Sequence, residues 1–299
     1  MTIKSSISIS AFIALLVVAA MMGANHVSAR IAFNDSVSVM TAIFFRSAAT
    51  TLVITLVILS QGISFRTSAR HRHILLSIGV LVGIQSYCLY YSVSLLPVAL
   101  ALLAFNTYPL WTAFWSKFIY RQKVDPNILK TMPIILFGLA LALDIFGATS
   151  ELALKDHWQS IGVGISFALV AAAIFGLILV FTQHETLTVD PRVRIAYTLG
   201  IVTLLAGSLC NMQGGLTLPI TEQGWWGLIC LNAFYGSAFT IMFTLLPRLG
   251  VVGNSAIMNV EPIFALIFAW VLLEQTISWI QMIGALIVVG SVTKLGLRK

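Results

Sequence analysis

Apolar residues run through this chain in long, nearly unbroken stretches, not at the alternating or three-to-four-residue spacing of a half-buried strand or surface helix. The stretches lie near 10–30, 37–60, 74–95, 98–117, 129–146, 160–182, 195–212, 225–246, 252–273 and 277–294. About 20 consecutive apolar residues are what an α-helix needs to cross the hydrocarbon of a bilayer. The pattern therefore predicts an all-α membrane protein with ten transmembrane helices. Two separators are short, Leu95-Leu96-Pro97-Val98 and Leu273-Glu274-Gln275-Thr276. Both read as hairpin turns, because helices continuing through them would be far too long for a bilayer. The first stretch competes with a secretory signal that ends at Val27-Ser28-Ala29. It is long for a signal, and Asn25-His26 stand awkwardly before such a cleavage site, so it reads as a span.

Composition sharpens this. With 59% apolar and 9% charged residues in 299, no room remains for a sizeable soluble domain. The three cysteines, Cys88, Cys210 and Cys230, sit in apolar stretches at no metal or disulfide spacing, so neither metal nor cofactor is expected. Cytoplasmic loops retain Lys and Arg. With the N-terminus inside, 14 of the 17 basic residues fall on the cytoplasmic side; Arg30 and Lys155 fall outside and Arg46 falls within a span. A missed helix would invert that bias in every later loop. The agreement predicts an even number of crossings in a cell inner (plasma) membrane with both termini cytoplasmic. The net charge of +7 is an orientation signal and needs no nucleic acid. Trp158, Trp225, Trp226 and Trp279 open spans at the outer face, as an aromatic belt does.

The chain also repeats itself. Leu95-Leu96-Pro97 recurs as Leu245-Leu246-Pro247, 150 positions on, and the Asn-x-x-Pro of Asn106 and Pro109 recurs at Asn259 and Pro262, 153 positions on. Leu16 to Gly23 aligns with Leu169 to Gly176 at the same offset of 153. Two homologous halves follow, 1–150 and 151–299. With five spans in each, an odd number, the second must enter the membrane upside down relative to the first. Such inverted repeats enclose a midplane site in secondary transporters and rock about it.

These residues resemble the EamA-type carriers of the drug/metabolite transporter superfamily. The likeness rests on two five-helix halves, the Leu-Leu-Pro before spans four and nine, a proline within those spans, and the ending Pro262 to Glu274 followed by Ile277 and Ser278. It covers nearly the whole chain. The first half departs from the pattern, with Arg121 where the second half has Glu274. The resemblance implies a carrier, not an enzyme, for efflux or exchange of amino acids or related amphipathic compounds. Proton coupling and a homodimer stay open.

Candidate site residues follow from the repeat and from charge. Pro109 and Pro262 lack an N–H and crowd the carbonyls of Phe105 and Met258, which predicts a kink near mid-membrane in each helix. Asn106 and Asn259 lie one turn earlier with amides able to satisfy freed carbonyls. These two pairs serve either as kinked packing elements or as part of a wet cavity. Arg46 and Glu261 each lie nine residues into a span, near the midplane, where a charge is costly unless paired or hydrated. They suggest an ion pair, with Asp144 and Asn25 as competing partners. Glu261 is alternatively a substrate contact or the carrier of a coupling proton. Tyr87, Tyr90 and Tyr91, then Phe105, Tyr108, Trp111 and Trp115, recur at about helical spacing, either as packing or as cavity lining. Tyr108 aligns with Glu261 in the repeat. The expected substrate-binding set is thus Asn25, Tyr87, Tyr91, Asn106, Tyr108, Asn259 and Glu261.

Other functions fit less well. No phosphate-binding Gly-x-x-x-x-Gly-Lys-Ser/Thr is present. A channel remains an alternative, although no filter sequence repeats. An intramembrane hydrolase built on Ser237 is a weaker one: of the five histidines only His26 lies in a span, toward its outer end, and no third residue completes a triad. The orientation has a direct test. Reporter fusions at residues 68 and 299 should both report a cytoplasmic location, and opposite locations would exclude an even number of crossings.

Overall fold

The computed structural model describes residues 7–96, 98–124, 126–143, 158–273 and 277–296, and the elements among them are all helical. In chain order these are α1 (Ile9–Asn34), α2 (Val39–Ser60), α3 (Ala69–Leu95), α4 (Val98–Phe105), α5 (Tyr108–Tyr120), α6 (Pro126–Ala142), α7 (Trp158–Glu185), α8 (Pro191–Met212), α9 (Glu222–Leu249) and α10 (Val251–Asn254). A 3₁₀ turn over Ser255–Val260, then α11 (Glu261–Leu273) and α12 (Trp279–Gly296), complete the chain. Seven helical stretches are long and apolar enough to cross a membrane, the last running from α10 through the 3₁₀ turn into α11. The helices α6 and α12 are shorter apolar ones. The fourth predicted stretch is divided between α4 and α5. The stretch first compared with a secretory signal is continuous helix, with Val27, Ser28 and Ala29 buried inside α1.

Helix starts are capped where the apolar runs begin. The first N–H groups of a helix have no partner inside it, and a hydroxyl just before the helix supplies one. Ser8, Ser38, Ser68 and Thr221 accept from the N–H groups of Ala11, Thr41, His71 and Gly224. Asp190 does the same for Arg192 beside Pro191, whose missing N–H costs nothing at that position.

The helices pair in a reciprocal pattern. Helix α1 packs on α9 and on α11, whereas α7 packs on α3 and on α5; α2 packs on α8, and α6 on α12. A shift of 153 residues converts each of these pairings into another or into itself. The closest approaches obey the same shift. A Cβ on Gly23 would lie 2.8 Å from the backbone nitrogen of Ala265, and a Cβ on Gly176 would lie 2.8 Å from that of Thr112. Gly23 and Gly176 are 153 apart, as are Thr112 and Ala265. Glycine is needed at both because backbone presses on backbone there, the small-residue contact that brings membrane helices together.

The interruptions also correspond. Helix α4 starts at Val98 and α10 at Val251; α5 spans Tyr108–Tyr120 and α11 spans Glu261–Leu273, again displaced by 153 at both ends. The Leu-Leu-Pro match at 150 is therefore out of register. Pro247 lies inside the last turn of α9, while Pro97 lies outside the described residues, as do Asp144, Lys155 and the predicted turn at Glu274.

Each end of the bundle ties the first half of the chain to the second. At one end the Asp35 carboxylate accepts from the N–H groups of Ile220 and Thr221, both at 2.8 Å. The Thr221 N–H holds that carboxyl below its ordinary range. Alongside, Thr217 Oγ1 accepts from the Ser38 N–H at 2.7 Å. At the other end Glu185 accepts from Arg70 at 2.9 Å and from the Tyr120 hydroxyl at 2.6 Å, with the Tyr120 ring stacked on His184. Within the second half, the Gln183 side chain accepts from the Val251 N–H at 2.7 Å.

Candidate functional site

The prolines act more strongly than a kink. A proline cannot donate to the carbonyl four residues back, and its fixed φ suits the first turn of a new helix. Helix α4 stops at Phe105 and α5 restarts at Tyr108 with Pro109 in its first turn. In the second half the chain tightens into the 3₁₀ turn up to Val260, and α11 restarts at Glu261 with Pro262 behind it. Tyr108 and Glu261 are thus the first residues of two equivalent half-helices.

Both point into a central cavity. Its lining contains four pairs of repeat mates, each separated by 153 residues: Met22 with Phe175, Leu89 with Met242, Phe105 with Met258, and Tyr108 with Glu261. A site shared so evenly lies where the two halves meet. Asn25, His26, Arg46, Gln85, Tyr235 and Phe239 complete it. The free space is about 50 Å³, room for a few waters. A larger solute has to displace the surrounding Phe and Met side chains.

Charge is concentrated here. His26 Nε2–H donates to Glu261 Oε1 at 2.7 Å, with both side chains buried. This contact joins α1 of the first half to α11 of the second. The expected Arg46–Glu261 pair does not form. Arg46 instead donates to the Tyr90 hydroxyl at 2.6 Å and to Ser86 Oγ at 2.7 Å. Its guanidinium carbon lies 4.5 Å from the Tyr90 ring centre and 4.0 Å from that of Tyr235. The competing partner Asn25 lines the same cavity but bonds neither charge, and its Oδ1 is buried without a partner.

The other expected residues divide. Tyr108 lines the cavity, and its hydroxyl donates to the Ser255 carbonyl at 3.0 Å, which satisfies an acceptor of the 3₁₀ turn. Asn106 and Asn259 are fully buried but do not line it. The Asn106 amide donates to the Leu102 carbonyl at 2.8 Å, and that of Asn259 reaches Met132 Sδ at 3.9 Å. Asn106 thus satisfies a carbonyl, but that of Leu102 and not of Phe105. Tyr87 and Tyr91 stack on each other and pack against Phe167, away from the cavity. Ser237 lines a separate groove with Thr50 and Asn232. Among the described residues no cluster of His, Cys, Asp or Glu could hold a metal ion.

Three polar cavity residues, and most of the apolar lining, were missed from the sequence. His26 carried a usable signal, as the one spanning histidine, next to Asn25. Gln85 lies four residues before Leu89 on α3, and only the aligned repeat marks that face. Tyr235 has Val82 as its repeat mate, so nothing in the repeat singles it out.

This geometry defines a helical membrane protein whose central cavity lies between two related halves. The pattern of the EamA-like transporter family matches residues 9–143 and again 162–296. The chain belongs to that family. It is 22% identical to an uncharacterized transporter of Synechocystis sp. over 74% of this chain and 65% of that one. It is 30% identical to an uncharacterized transporter of Bacillus subtilis over 61% of each, and 30% identical to Purine permease 2 of Arabidopsis thaliana over 42% of this chain and 34% of that one. The matches span less than two thirds of these relatives' lengths. A protein of known crystal structure, 16% identical, superposes with a TM-score of 0.75 over 98% of both chains, which establishes the fold.

Removing His26 strands the Glu261 carboxylate in the interior, and breaking one side of a buried pair costs about 3–5 kcal/mol. His26→Leu should therefore lower the melting temperature in detergent, and adding Glu261→Leu should restore part of the loss. A His26→Leu protein that melts with the parent would show that the contact carries no stability.

Proposed function

We propose that the chain is a secondary carrier that moves small amphipathic metabolites, amino acids or related compounds among them, by alternating access. In this reading the ten helical stretches all cross the membrane, and residues 1–150 and 151–299 form two five-helix repeats of opposite orientation. The membrane is the cell inner membrane, with both termini cytoplasmic. The observation that carries the proposal is the cavity lined by repeat mates. A site on the relation between two halves stays in place while the halves exchange which end is open. The reciprocal pairing of helices and the equivalent interruptions support the same reading, because broken helices near a midplane site bring free backbone groups and helix ends to the solute.

Within this scheme Glu261 and His26 are the groups able to take up a proton between the halves. Glu261 heads α11, and its carboxylate accepts from His26 of α1. Its contact with His26 must lengthen or re-form when the halves move. Proton occupancy and conformation are thereby linked through one hydrogen bond.

The test is transport in proteoliposomes loaded with amino acids, with and without a pH gradient. The parent should show solute counterflow. Glu261→Gln should keep counterflow and lose uptake driven by the gradient, while melting close to the parent because its amide oxygen still accepts from His26. A solute-independent ion current in the parent would favour a channel, and normal gradient-driven uptake by Glu261→Gln would remove this residue from coupling.

A further inference from the structure

Arg46 is a buried cation whose contacts do not neutralise it. It is 5% exposed, stands in α2, and lines the central cavity together with the apolar side chains of Phe175, Phe239 and Met242. Its two bonded partners, Tyr90 and Ser86, are neutral hydroxyls. The tyrosine rings on either side attract the guanidinium through their electron-rich faces but bring no counter-charge. Among the described residues no carboxylate lies within 4.0 Å of it, and Glu261 Oε1 is taken by His26. Two of the five N–H groups of the guanidinium are engaged, while Nε is buried with no partner. Charges at this depth are normally paired.

We infer that Arg46 is the anchor for an anionic group of the transported solute, so that the site takes amphipathic organic anions, a carboxylate or phosphate at Arg46 with an apolar body against the Phe and Met wall. This rests on the carrier reading and gives its substrate class. Tyr90 and Ser86 hold the guanidinium in one orientation, and its planar fork matches two oxygens of a carboxylate or phosphate. The arrangement explains why a cation tolerated by its neighbours is left unneutralised by them.

The experiment is a thermal-shift titration of the purified protein with probes that share a ring and differ in charge: phenylacetate, phenyl phosphate, phenylacetamide and phenethylamine. Phenylacetate, phenyl phosphate or both should raise the melting temperature in a saturable way, and the one that does so identifies the headgroup. The neutral amide and the cationic amine should not. Arg46→Lys keeps the charge and loses the fork, so it should preserve the order of the probes with about tenfold weaker anion binding. Arg46→Gln should lose the anion response. Equal stabilisation by amide or amine, anion binding by Arg46→Gln at the parent's affinity, or no response of the parent to either anion would overturn the assignment. Counterflow measured on the same preparations separates the two proposals: exchange of neutral or cationic solutes without anions leaves a carrier whose Arg46 is not an anion anchor.

Discussion

A backbone carbonyl or N–H without a partner cannot face lipid, and two proline-interrupted helices place such groups deep in this bundle. Much of the architecture follows from that constraint. Pro109 and Pro262 end one helix and open the next, so the exposed turns must be enclosed by protein. Enclosure requires neighbours at backbone distance. Gly23 of α1 lies against α11 and Gly176 of α7 against α5, and a side chain at either position would push the covering helix away. Tyr108 and Asn106 then supply hydrogen bonds to carbonyls near the breaks. A small cavity lined by Tyr108 and Glu261, the first residues after the two interruptions, lies between the halves.

The frame is symmetric and the chemistry is not. Asn25, His26, Arg46 and Gln85 all belong to the first half, and their repeat mates are Ile178, Leu179, Leu199 and Ala238. The second half contributes Phe175, Tyr235, Phe239, Met242 and Met258, with Glu261 as its one charged group. The two halves share the pair of broken helices, and they differ in that the first contributes most of the polar side chains of the cavity. The His26–Glu261 bond crosses the boundary between them.

Much of this was legible in the sequence. Hydrophobic runs located the helices because a bilayer leaves few alternatives, and the offset of 153 located the repeat because paired backbone approaches and paired breaks demand matching residues. The strength of the breaks was not legible: a proline inside a span implies a kink, and only the surrounding protein decides whether the chain can part into two helices. The Leu-Leu-Pro match misled by three residues, since leucine and proline near a helix end recur without structural equivalence. Charges were harder still. Arg46 and Glu261 were both expected near the midplane, but which partner each takes depends on helix rotation and neighbours. Tyr90 and Ser86 reach Arg46 because α3 presents both toward α2, and His26 reaches Glu261 because Gly23, one turn earlier, lets α1 approach α11 closely. Asn106 and Asn259 stand beside the breaks, as their spacing indicated, yet face packed protein and not the cavity.

The central claim is that one cavity, bounded by both halves, is reached in turn from the two sides of the membrane. It is tested most directly by a single cysteine in place of Met258, in a chain whose Cys88, Cys210 and Cys230 have been replaced, challenged with a membrane-impermeant thiol reagent in oriented vesicles of both kinds. Modification from each side, slowed on each side by a transported solute, is the predicted result. Modification from one side only, whatever solute is present, would contradict alternating access to this cavity.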